Sequence, residues 1–99
     1  MSLSETQKRQ LRKLGHPLKP VVMVGANGLT DAVCNEIDLS IAHHELIKIK
    51  VSAADREARD SMISELCRRS NADLVQRVGN IALVYRPNPK NPKIHLNKS

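Results

Sequence analysis

Ninety-nine residues, 40% of them hydrophobic, supply apolar surface for one core and not for two. Sixteen Lys and Arg against ten Asp and Glu leave a net charge of +6, which points to a polyanionic partner such as nucleic acid, a ribosome or an anionic membrane surface. Tyr85 is the one aromatic residue, which excludes sheets and barrels that stack several bases on exposed rings, so an RNA partner would be held by its backbone and shape.

In chain order, the first element is a helix from about Ser4 to Leu14. Ser4 followed by Gln7 resembles a capping box, and Gly15 with Pro17 beyond it reads as the stop. Leu3, Gln7, Leu11 and Leu14 form one stripe, and Lys8, Arg9, Arg12 and Lys13 fill the opposite arc. Val21 to Val24, wholly apolar after Pro20, reads as a buried strand. Gly25-Ala26-Asn27-Gly28 follows, and Thr30 then caps a second helix to about His44, with Val33, Cys34, Ile37 and Ile41 on one face. Ile47, Ile49 and Val51 alternate with Leu46, Lys48 and Lys50, as in a strand. A third helix fits about Asp55 to Ser70, with Met62, Ile63, Leu66 and Cys67 inward and Asn71 at the stop. Leu74 to Val78 and Ile81 to Tyr85 flank Gly79-Asn80, a two-residue hairpin loop. Pro87, Pro89 and Pro92 exclude regular structure after Arg86, leaving either a mobile basic tail or a short edge strand at Ile94 to Leu96.

The order α-β-α-β-α-β-β predicts an α/β fold. Two β-α-β units imply parallel pairs with right-handed crossovers, joined to an antiparallel terminal hairpin in a mixed four-stranded sheet packed with three helices. One domain over residues 1–99 is expected, with a basic helix and linker at 1–20 and a basic tail at 87–99. The charge follows this division: +4 over 1–20, −4 over 21–47, +1 over 48–76 and +5 over 77–99. No run approaches the roughly eighteen apolar residues of a membrane span, and the N-terminal segment is polar, so a cytoplasmic protein with two reduced cysteines is expected.

Strand, glycine-rich turn, helix is the arrangement in which backbone N–H groups and a helix N-terminus bind phosphate oxygens. Gly25 to Gly28 also reads as a plain turn, since Gly and Asn serve φ > 0. A P-loop or dinucleotide fold is excluded because neither GK[ST] nor GxGxxG is present. Asp31, in the first turn of the helix, would repel a phosphate, and Lys19 with the Lys8/Arg12 arc would have to outweigh it. His43 and His44, adjacent instead of four apart, read as the basic end of a helix and not as metal ligands. Cys34 reads as a small buried hydrophobe, Cys67 has no evident His or Asp partner, and Tyr85 reads as packing or as a single stacking ring. With no carboxylate pair, metal constellation or nucleophile–base set visible, no enzyme, cofactor, metal or small-molecule substrate is expected.

Several separated motifs, His16-Pro17-Leu18-Lys19-Pro20-Val21-Val22, Gly25-Ala26-Asn27-Gly28-Leu29-Thr30, His43-His44-Glu45-Leu46-Ile47-Lys48, Asp55-Arg56-Glu57 and Leu83-Val84-Tyr85-Arg86-Pro87, together resemble the CRM domain (chloroplast RNA splicing and ribosome maturation) in its bacterial stand-alone YhbY form. The resemblance spans about Leu3 to Leu96. It implies a fold similar to the C-terminal domain of translation initiation factor three. It also implies RNA binding, with bacterial members on precursors of the large ribosomal subunit and plant relatives in group II intron splicing. The RNA-contacting residues then expected are Gly25, Ala26, Asn27, Gly28, Lys8, Arg12, Lys13, Lys19, Arg56 and Arg86, with Arg56 entering through the family motif alone. A monomer bound to rRNA is the expectation, and a basic module docking on an acidic protein is the rival reading.

Overall fold

The computed structural model describes residues 3–96; Lys98, the last cation of the expected tail, lies outside them. The elements are α1 (Glu5–Gly15), β1 (Pro20–Val24), α2 (Asp31–His44), β2 (Leu46–Val51), α3 (Arg56–Ser70), β3 (Asp73–Val78) and β4 (Ile81–Tyr85). Their boundaries follow local chemistry. The Gln7 N–H donates to Ser4 Oγ at 3.1 Å while the Ser4 N–H donates to Gln7 Oε1 at 3.0 Å, closing the capping box. Thr30 and Asp55 accept from the N–H groups of Val33 and Ala58 in the same way, and Asn71 ends α3 in the left-handed region.

The four strands form one mixed sheet in the order β1-β2-β4-β3. β1 and β2 are parallel, and β4 is antiparallel to both β2 and β3. The expected pair of adjacent parallel couples is therefore reduced to one. β3 keeps the direction of β2, but the crossover through α3 carries it one place too far, and the hairpin returns β4 into the gap.

On one face, Val22, Val24, Ile47, Ile49, Val51, Ala82 and Val84 pack against Ile37 and Ile41 of α2 and Ile63 and Leu66 of α3. On the other, Leu46, Val75, Leu83 and Tyr85 pack under Leu11 of α1, with Leu3, Ile94 and Leu96 around them. Three sequence expectations change here. β1 is not a buried strand: it lies at the sheet edge, with Val22 and Val24 in the core while Val21 and Met23 are 49% and 64% exposed. Gly15 is not a left-handed stop. It is the last helical residue and presses on the sheet, where a side-chain carbon would come within 2.7 Å of both Leu83 Cδ atoms. With Leu11 and Gly15 forming the contact line, Leu14 turns outward and is 45% exposed. Among the described residues, no helix is long and apolar enough to cross a membrane.

The segment after Arg86 is neither a strand nor a free tail, because it is folded onto Glu45. This residue links α2 to β2 with φ 64° and is 1% exposed. Its Oε2 accepts the Asn88 N–H at 2.5 Å, and its Oε1 accepts those of Lys93 and Ile94 at 2.6 and 2.8 Å. Asn88 Nδ2 adds a bond to the Ala42 carbonyl at 3.0 Å. Burial pushes the Glu45 carboxyl up, but the three N–H donors and the field of His95 outweigh it and hold the pKa below the ordinary 4.5. Glu45→Gln keeps the shape but turns an N–H donor toward backbone donors. It should cost about 2–3 kcal/mol in urea unfolding and speed amide exchange at Asn88, Lys93 and Ile94. Because the folded pKa is depressed, the wild-type advantage over this variant should be complete above pH 4.5 and fade as pH falls through the lowered value. An advantage that does not change with pH across this range would contradict the assignment.

Candidate functional site

β1 runs into a tight turn in which the Gly28 N–H donates to the Gly25 carbonyl at 3.0 Å, leaving Ala26 and Asn27 exposed at its tip. Gly28 has φ +71°, so the turn itself requires glycine there. Gly25 is different. Its backbone lies outside the left-handed region, and an added side-chain carbon would meet nothing within 4 Å. Neither conformation nor packing within the protein asks for glycine at 25. The repulsion expected from Asp31 is countered by a residue the sequence reading passed over. Arg69, near the end of α3, donates to the Leu29 carbonyl at 3.3 Å and sits 3.6 Å from Asp31 Oδ1. No local signal could have located it, since the contact spans 40 positions.

The remaining candidates divide between the two ends of the sheet. Gly25 to Gly28, the segment entering α3 with exposed Arg56, and the Gly79-Asn80 turn share one end, as the Val51 N–H bond to Asn80 O and the Ser52 N–H bond to Val24 O establish. Lys19 lies at the opposite end of β1, about 20 Å from Gly25 at the rise of a strand. Arg86 is also at that opposite end, and on the α2/α3 face. Its Nη1 donates to Asp38 Oδ1 at 2.7 Å and to Ser70 O at 2.8 Å. The Arg86 guanidinium, expected to contact RNA, thus also clamps α2 to α3. Lys8 and Lys13 form no ion pair among the described residues, whereas Arg12 pairs with Glu5 at 3.1 Å. That pair is on the surface, where it contributes at most about 1 kcal/mol and yields readily to a phosphate. A second cation missed by sequence is Arg59, whose buried Nε has no hydrogen-bond partner among the described residues. It lies one turn before Met62, the side chain nearest Gly28.

The comparisons with known proteins converge. The CRS1 / YhbY (CRM) domain matches residues 3–86. A Pseudomonas aeruginosa protein named a probable RNA-binding protein is 49% identical over 91% of this chain and 86% of its own length. A Haemophilus influenzae protein named an RNA-binding protein is 47% identical over 96% of this chain and 95% of its own. The solution structure of a hypothetical Staphylococcus aureus protein superposes with a TM-score of 0.83 at 29% identity, covering 97% of this chain and all of that one.

The groups that could have pointed to chemistry have other surroundings. His43 and His44 end α2 with their rings edge to face at 4.6 Å. Tyr85 is 2% exposed under α1, a packing residue, with its phenol pushed up by burial and then by Glu45 and Asp73. Cys34 is half-buried at the cleft between α2 and α3 instead of fully buried in the stripe. Cys67 packs against the core, and burial followed by the Asp73 charge raises its thiol to about 11. At pH 7.5 iodoacetamide should therefore label Cys67 about a hundredfold more slowly in the folded protein than in urea. Equal rates, read by peptide mass spectrometry, would show an exposed thiol of ordinary acidity and contradict the burial. Cys34→Ala should lose at most about 2–3 kcal/mol of stability and leave the folded protein's partner binding unchanged.

Proposed function

Because this chain belongs to the CRS1 / YhbY (CRM) domain family, we propose that it is a cytoplasmic, non-enzymatic RNA-binding protein that associates with precursors of the large ribosomal subunit and grips rRNA mainly by its backbone. The ribosomal target rests on the family resemblance, and the RNA class rests also on the names of the relatives. The observation that carries the mode of binding is Gly25, a glycine with open space around it and no conformational need of its own. A phosphate approaching the backbone of Gly25 to Gly28 supplies that need, since a side chain there would hold it off. Lys8, Arg12 and Lys13 of α1, with Lys19 and Arg56, add charge; base identity is read weakly, because the one ring is buried.

Four to six phosphate contacts give a plot of log K against log[salt] with a slope of roughly −3 to −4 on structured rRNA fragments, and a slope near zero in filter binding would rule the model out. Replacing Ala26 and Asn27 by aspartates keeps both glycines, so affinity should fall at least about tenfold, or about 1.4 kcal/mol, with Tm almost unchanged. Aspartates at Asn35 and Ser40 on α2 carry the same charge elsewhere. Equal losses from both pairs would mean that the loop is not a specific site. In a lysate gradient the protein should travel with large-subunit precursors and return to the top after ribonuclease treatment.

A further inference from the structure

The sheet face that carries α1 is only half covered. Across its open half, toward the Gly25 to Gly28 end, the register aligns Met23 with Lys50, Lys50 with Ile81, and Ile81 with Val78, one residue from each strand. Their chain neighbours Val22, Val24, Ile49, Val51 and Ala82 point into the opposite core, so this row faces outward on the α1 side. Met23 and Val78 are 64% and 63% exposed. The next row back pairs Lys48 with Leu83 and Leu83 with Gln76.

Two lysines on an interior strand, set among neutral neighbours, are an unusual arrangement. All cross-strand partners of Lys48 and Lys50 are uncharged, and neither lysine forms an ion pair among the described residues. Lys48 Nζ donates to the His16 carbonyl at 3.3 Å, at the C-terminal end of α1. The side chain of Lys50 makes no hydrogen bond among the described residues. Both are half-buried, their aliphatic stems lying along the sheet, and neither ammonium has an anion beside it among the described residues, a place that a negative partner would fill. The floor is also continuous with the proposed RNA surface at both ends. Lys48 adjoins the basic end of α1 and Lys19, and Met23 is two residues before Gly25.

We propose that this open floor is the middle of the RNA path: a strand of RNA crosses it from α1 to the Gly25 to Gly28 loop, with Lys48 and Lys50 on consecutive phosphates and Met23, Ile81 and Val78 against sugars and base faces. This inference rests on the RNA reading above and adds residues that the loop and helix alone do not include.

Lys50→Met keeps the aliphatic stem and removes the charge. On a structured rRNA fragment it should lower affinity about fivefold and flatten the salt slope by about 0.7, the signature of one lost phosphate contact. Met23→Asp, placing a carboxylate next to Lys50, should cost more, about tenfold. Lys90→Met, the same charge change on the C-terminal segment, is the control, and circular dichroism with urea unfolding checks that each variant is folded. If Lys50→Met and Lys90→Met act alike, only net charge counts and the floor is overturned. If the Ala26/Asn27 aspartate pair abolishes binding while Lys50→Met and Met23→Asp bind normally, the loop reading stands and the floor fails. If the floor variants lose affinity while the loop pair does not, the floor stands and the loop reading fails. If RNA binding is untouched but poly-L-glutamate binding is lost in Lys50→Met, the floor serves an acidic protein and the proposal is wrong.

Discussion

Three helices cannot cover both faces of a four-stranded sheet. At about 4.8 Å per strand the sheet is about 19 Å wide, and a packed helix spans about 10 Å, so each face needs two. Helices α2 and α3 close one face completely, as the near-zero exposure of Ile41, Ile49 and Val84 reflects. On the other face α1 has no companion. The substitute is the irregular C-terminal segment, whose Ile94 and Leu96 pack beside Tyr85 and its neighbours because Glu45 fixes the backbone just before them. That device serves only the end of the sheet near Glu45. The other half of the face stays open, and the lysines of β2 can sit on an interior strand because no helix lies across them, only the C-terminal end of α1 reaching Lys48.

Arginine and lysine have divided their work. All five ion pairs among the described residues use arginine: Arg12, Arg68, Arg69, Arg77 and Arg86. The planar fork of Arg86 reaches a carboxylate and a main-chain carbonyl together, and Arg69 does the same with Asp31 and Leu29. Lysines at 8, 13, 19, 48, 50, 90 and 93 enter none of these pairs. A flexible, strongly hydrated point charge suits an anion whose position varies, such as the backbone of a folded RNA. Half of the ten acidic side chains are thereby answered within the fold, and the excess positive charge that remains is carried largely by groups free to move.

What could be read in the sequence was local. Ser4 with Gln7, Thr30, Asp55 and Asn71 each act within a turn of chain, and each stands where its side-chain chemistry places it. The two-residue Gly79-Asn80 loop sets the Val78–Ile81 register for the same reason. Of the candidate site, the exposed tip at Ala26 and Asn27 and the free lysines of α1 were legible. Strand order was not, since an apolar tetrad such as Val21 to Val24 looks alike in the middle of a sheet and at its edge. Nor were the contacts of Glu45 with Asn88, Arg69 with Leu29 and Arg86 with Asp38, which span 40 or more residues. Gly15 misled because a glycine after a helix is ordinarily read as a conformational need, whereas here it is a spatial one.

Both outer strands of this sheet carry a break in their pairing: β1 between Pro20 and Val22, and β3 between Leu74 and Gln76. On β3 the extra residue is Val75, which turns inward beneath α1. On β1 the strand opens with a proline, which has no N–H to offer. These irregularities spoil the straight ladder that a second copy would need for adding its own strand. For a chain that leaves Val21, Met23, Leu74 and Val78 partly bare along its margins, the consequence is a pair of edges on which the apolar side chains stand exposed while the backbone offers a second copy no regular ladder to extend.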